Sequence, residues 1–125
     1  MPPYNKVLIV GHCGADTSSL TWLVGQVAPK APAYYVGSDS ALKKHIDGSA
    51  LVLINRVLEG SFEADDGLGL IRQLKQQGAD AGLMLISNYS DAQASARALG
   101  ALDGFGKSSL SSSAVKAKLT ELLSE

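Results

Sequence analysis

The succession of apolar runs and helical stripes predicts an α/β domain built on a doubly wound, five-stranded parallel sheet. Three observations carry this reading. Residues 7–10, 50–54 and 83–86 are unbroken aliphatic runs, the pattern of strands covered on both faces. Between them lie segments whose apolar residues recur at spacings of three and four, as on a helix with one buried face. The two signals alternate five times within 125 residues, which predicts one domain over 1–125 with no linker.

The elements follow in order. Residues 7–10 form the first strand, and Asp16, Thr17 or Ser18 can cap the helix after it. Leu20, Leu23, Val24 and Val27 make that helix's apolar stripe, and Pro29 and Pro32 end it. Residues 33–36 read as a second strand, followed by a turn at Gly37, Ser38 and Asp39 and a short helix over 40–46. Gly48 precedes the third strand, 50–54, and Asn55 stands at its C-terminal end. The loop over 56–66 is polar and acidic, with Glu59, Glu63, Asp65 and Asp66. Leu68, Ile71, Leu74 and Lys75 define one face of a third helix that Gly78 closes. After the fourth strand, 83–86, Ser90 and Asp91 can cap a fourth helix with Ala92, Ala96 and Leu99 on one face. Residues 103–106 form a short fifth strand. A serine-rich loop leads to the last helix, roughly 111–123, which packs Val115, Leu119 and Leu122.

Composition narrows the function classes. With 46% hydrophobic and 18% charged residues the chain builds a core and is not disordered. The net charge of −1 and the scattered Lys and Arg favour neither nucleic acid nor an anionic membrane as partner. Cys13 is the lone cysteine, so no intramolecular disulfide forms, which fits a reducing compartment. Residues 1–6 lack the basic and apolar segments of a secretory signal. The aliphatic runs are strand-length, short of the ~20 residues a membrane helix needs. The expectation is a soluble, cytoplasmic protein. The start at Met1 and the end at Ser124 and Glu125 fit a stand-alone protein and an excised domain equally.

In doubly wound sheets the functional crevice lies outside the carboxyl ends of the strands. That rule gathers Gly11, His12, Cys13, Asn55, Arg56, Ser87, Asn88 and Lys107. The segments DGLGLIRQLK (66–75), LIS (85–87) and ALGALDGFGKS (98–108) occur in an order that resembles response-regulator receiver domains of the chemotaxis-regulator type. The resemblance runs from about Lys6 to Leu123. It implies a flavodoxin-like (βα)5 fold with strand order 2-1-3-4-5 and a place in two-component signal transduction or a phosphorelay. It also implies a pocket in which an aspartate ending the third strand is phosphorylated. Two acids after the first strand help hold Mg²⁺ there, and a Ser/Thr and a Lys contact the phosphoryl group.

Ser87 and Lys107 match the last two positions, although the fifth strand is about one residue short before Lys107. The acid pair falls on Gly11 and His12, and the phosphoacceptor on Asn55. An amide is a poor nucleophile toward phosphorus, and Mg²⁺ wants hard oxygen ligands that usually include carboxylates. Without that ion the charge developing in phosphoryl transfer is not neutralised. The resemblance therefore points to a pseudo-receiver: not an enzyme, with no cofactor and no metal, acting through protein–protein contacts. A histidine kinase or another signalling protein is the implied partner, and the face of the fourth helix, fifth strand and fifth helix the implied surface for it or for a homodimer. On that face Gln93, Arg97, Lys116 and Lys118 are candidates. Phe105 lies near the family's aromatic switch position, or covers the sheet edge. Asn55 is expected to bond Ser87 or Lys107. Lys107, lacking a carboxylate partner, is expected to be loosely tethered, and His12 to fill the vacated acidic pocket, where a protonated ring beside Lys107 would repel a cation.

Two alternatives stay open. Residues 13–20 resemble the phosphate-carrying loop of phosphotransferase-system IIB proteins, which would make Cys13 a phosphocarrier, although Asp16 would repel phosphate. A small-ligand sensor using His12, Asn55 and Ser87 is the other. The loop acids Glu59, Glu63, Asp65 and Asp66 could rebuild an acidic site, but at positions that do not match the family. His12, Cys13 and His45 fit no zinc pattern.

Overall fold

The structure, a computed structural model, describes residues 4–123, so Met1, Ser124 and Glu125 lie outside the described residues. Five strands, β1 (Lys6–Val10), β2 (Ala33–Val36), β3 (Ala50–Asn55), β4 (Gly82–Ile86) and β5 (Leu102–Phe105), form one sheet in the order β2-β1-β3-β4-β5. Every pairing is parallel. The helices are α1 (Gly14–Val27), α2 (Asp39–His45), α3 (Gly67–Gln76), α4 (Ser90–Ala98) and α5 (Ser113–Leu122), with a 3-10 turn at Lys107–Ser109.

The unbroken aliphatic runs exist because the sheet has helices on both faces. On one face Val7, Ile9, Leu51, Leu53, Met84 and Ile86 pack with Leu20, Leu23 and Val24 of α1 and Val115 and Leu119 of α5. On the other, Leu8, Val10, Val52, Ile54, Leu83 and Leu85 pack with Leu42 of α2, Leu70, Ile71 and Leu74 of α3, and Ala92 and Ala96 of α4. Alternate residues of one strand thus feed two separate cores. Each fully buried aliphatic side chain contributes roughly 1.5–3 kcal/mol.

The helix ends differ from the sequence expectation. α1 begins upstream of Asp16, Thr17 and Ser18, and its cap is Cys13, whose sulfur accepts the Asp16 N–H at 3.4 Å. A thiol has enough acceptor strength for an N-cap, which frees the Asp16 carboxylate for another partner. Ser90 and Asp91 lie inside the first turn of α4, where Tyr89 holds the cap position without a side-chain bond. On α3 the buried residues are Gly67, Leu70, Ile71 and Leu74, while Lys75 is exposed. β5 and α5 sit within two residues of the expected bounds.

Candidate functional site

The parallel register brings Val10 beside Ile54 and Asn55 beside Ile86, so the loops after β1, β3 and β4 leave the sheet together. Gly11 turns the chain out of β1 with φ 72, a left-handed conformation that glycine adopts at no steric cost. A Cβ at this position would also press on the Leu58 side chain. The Gly11 carbonyl accepts the Glu59 N–H at 2.9 Å and one N–H of the Asn55 amide at 3.2 Å. The same Asn55 nitrogen donates to the Val57 carbonyl at 2.6 Å. Asn55 is therefore buried as a bracket between two loops and makes no bond to Ser87 or Lys107. It follows that its role depends on amide N–H donors, which a carboxylate lacks.

His12 is 1% exposed, and its Nε2 lies 3.1 Å from the Leu53 carbonyl oxygen, so Nε2 carries the proton. Nδ1 is buried with no partner. Burial pushes the ring's pKa down to about 4, against the raising effect of the Leu53 bond; the Lys107 charge lowers it further. At neutral pH the imidazole is uncharged. The expected protonated ring beside Lys107 is corrected: desolvation dominates.

Lys107 is also tied down, contrary to expectation. Its Nζ lies 2.6 Å from Asp16 Oδ2, with both side chains about one-third exposed. The ammonium beside Asp16 holds that carboxyl below its ordinary value, and the Cys13 thiol adds to the effect. With Cys13 capping α1, the Asp16 carboxylate is the partner that meets the lysine.

A recess of about 260 Å³ opens at the strand ends, lined by Asn55, Arg56, Ser87, Asn88, Tyr89 and Lys107 among others. Gly11 and His12 do not line it. The Ser87 hydroxyl oxygen accepts the Tyr89 N–H at 3.1 Å. The Arg56 guanidinium sits 4.9 Å from the centroid of the Tyr89 ring, a cation–π pair at the rim. Sequence reasoning missed Tyr89; its one sequence signal is an aromatic residue directly after the β4 loop.

Of the surface candidates, Arg97 is exposed and bonds Asp103 at 3.0 Å, and Lys118 reaches the same carboxylate at 3.2 Å. Gln93 is corrected: it is buried and faces β4 and β5 rather than solvent. Phe105 packs into the core beneath α1 and α5. His45 stacks on Tyr34 at the β2 edge, remote from the strand ends. Trp22 is on the surface, 6.0 Å from the Lys116 ammonium.

Among the described residues no three His, Cys, Asp or Glu side chains come together as a metal-binding group. The loop acids are already used or dispersed: Asp66 caps α3 through Gly69 N at 2.8 Å, and Glu59, Glu63 and Asp65 are exposed. No helix among the described residues is long and apolar enough to cross a membrane.

No protein-family model matches the chain, and no curated protein does. Solved structures do. The signal receiver domain of a DNA-binding response regulator (merR) from Colwellia psychrerythraea superposes with a TM-score of 0.73 at 18% identity, over 94% of this chain and 96% of that one. The receiver domain of NtrX from Brucella abortus gives 0.63 at 22% identity over 93% and 98%. A response regulator from Thermotoga maritima gives 0.68 at 17% identity over the whole of both chains. The fold is that of response-regulator receiver domains. At such identities the likeness fixes the architecture, and the function of this receiver-fold chain must be argued from its own side chains.

Proposed function

We propose that this chain is a degenerate receiver, a non-enzymatic cytoplasmic module of two-component-type signalling that works by phosphorylation-independent protein–protein contact. The observation that carries the proposal is Asn55, which ends β3 where the family's phosphoacceptor would stand and has its amide nitrogen committed to the Gly11 and Val57 carbonyls. Neighbouring groups support it. The positions of the family's acid pair hold Gly11, with its left-handed backbone, and His12, buried and neutral. Asp16 is paired with Lys107, a residue of the recess. This donor set does not suit a hard divalent cation, which wants several uncommitted oxygens. A histidine kinase or other signalling protein is the proposed partner, with a homodimer through α4, β5 and α5 as a further mode; nucleic acid is not proposed as a partner.

The Cys13 phosphocarrier reading is disfavoured because the Asp16 carboxylate lies against that thiol and would repel a phosphoryl group. The ligand-sensor reading is disfavoured because His12, one of its three residues, is buried and does not line the recess. Incubation with acetyl phosphate and Mg²⁺, read by intact-mass spectrometry and NMR shift mapping, tests the proposal. The expected result is no phosphoryl adduct and no Mg²⁺-dependent shift at Asn55, Ser87 or Lys107. An adduct on any carboxylate or on Cys13 overturns it.

A further inference from the structure

We infer that Gln93 and Asn88 clamp β4, α4 and β5 into one unit with a single conformation, so that the α4–β5 face is displayed permanently rather than switched. The signalling meaning of this rests on the proposed phosphorylation-independent role. The clamp itself stands on geometry.

Gln93 is buried on α4, and its amide bridges two strands. Nε2 donates to the Leu85 carbonyl at 2.9 Å, near the end of β4, and to the Ser87 carbonyl at 3.1 Å, just beyond it. Oε1 accepts the Gly104 N–H of β5 at 3.2 Å. Both donor hydrogens and one acceptor lone pair are thus used. The bridge lies where the backbone ladder fails: the β4–β5 register shifts between Met84 and Ile86. The side chain supplies the inter-strand connection that the irregular ladder cannot.

Asn88 closes the same seam from the loop side. Its Oδ1 accepts the Ser108 N–H at 3.2 Å and the Ser108 hydroxyl at 2.9 Å. Ser87 N donates to the Phe105 carbonyl at 3.0 Å between them. The strands approach so closely that a Cβ at Gly104 would overlap the Leu85 carbonyl oxygen, and one at Gly106 would overlap Asn88 Oδ1. Glycine at these two positions and amides at 88 and 93 form one device. Phe105, between the glycines, is held in the core. An α4 that moved away from β4 would strand the buried Leu85 and Ser87 carbonyls and the half-buried Gly104 N–H at once, the kind of cost that makes a conformation exclusive.

NMR relaxation dispersion and amide hydrogen exchange on the wild-type chain, Gln93→Ala and Gln93→Glu test the clamp. In the wild type no microsecond-to-millisecond dispersion is expected across 85–93 and 102–108. In Gln93→Ala the Gly104 amide should exchange at least ~10-fold faster, while β1 and β3 amides keep their protection. Gln93→Glu keeps an acceptor for Gly104 but loses both donors, so it should introduce dispersion at Leu85 to Ser87. Dispersion already present in the wild type overturns the clamp, even if neither variant folds. So does a Gly104 exchange rate that both substitutions leave unchanged. A phosphoryl adduct with acetyl phosphate would defeat the proposed function and leave these exchange rates as they are, so the two failures are distinguishable.

Discussion

Acidification should destabilise this protein through the burial of His12. The ring's ordinary value is 6.5, and burial lowers it to about 4 in the folded chain. The folded value is the depressed one, so the unfolded chain takes up the proton first. Stability is therefore complete above about pH 6.5 and falls as the pH drops toward 4, where the folded state protonates too. Integrating between those two values, the loss from about pH 7.5 to about pH 5 is on the order of 2 kcal/mol. The carboxylates with lowered values, Asp16, Asp47 and Asp103, start from 3.8 and give up their contributions below this window. Urea titrations at the two pH values read the effect. With an m value of about 1.5 kcal/mol/M, the midpoint should fall by roughly 1.3 M in the wild type. His12→Gln, which keeps a donor for the Leu53 carbonyl but does not titrate, should show little of that drop. Equal midpoints at both pH values in the wild type, or equal drops in both proteins, would falsify the buried neutral imidazole.

Three other substitutions test the strand-end network. Asn55→Asp removes the donor to the Gly11 and Val57 carbonyls and sets a charge against them; thermal melts should show a loss of about 2–3 kcal/mol. The variant should still form no adduct with acetyl phosphate and Mg²⁺, and an adduct would mean that residue 55 alone decides the chemistry. Asp16→Asn breaks the ion pair with Lys107, whose partners are each about one-third exposed, so screening limits the cost to about 1 kcal/mol or less. The gap to wild type should shrink further in high salt. Gly106→Ala drives a Cβ into Asn88 Oδ1, for a cost of about 1–3 kcal/mol. Adding Asn88→Ala should recover part of it in a double-mutant cycle, and strict additivity would place the conflict elsewhere.

The fold was legible wherever the physics is local. Strands covered on both faces need continuous aliphatic runs, and the cores of β1, β3 and β4 announced themselves. The strand-end recess was legible in part of its lining, without Gly11 and His12, and less so in wiring. Asn55, Ser87 and Lys107 do line one recess, yet the bonds expected among them are absent. Asn55 finds its second partner at Gly11, 44 residues away, and no sequence window contains that pair. The fate of Asp16 turned on whether Cys13 could cap α1, a weak acceptor that cap preferences do not favour. Gln93 looked like a surface residue because glutamine usually is one. Only the register shift in β4–β5 creates a buried place for its amide.

These wirings bear on the proposed reading of the site as a degenerate receiver pocket. One buried polar atom, His12 Nδ1, is left without a partner among the described residues. The groups at these positions nonetheless depend on one another. The Asn55 amide binds the carbonyl of Gly11, whose φ of 72 disfavours a side chain at that position. Beside it, His12 turns its ring inward onto Leu53 and is desolvated there. Lys107 lines the recess while its ammonium pairs with Asp16. Placing one carboxylate at 11, 12 or 55 would break a hydrogen bond, force a left-handed backbone on a residue with a side chain or bury a charge, before any ion could bind. The site is held by a substitute network with its own energetic logic. Under the proposed function, a clamped α4–β5 face is the form of output such a network can support.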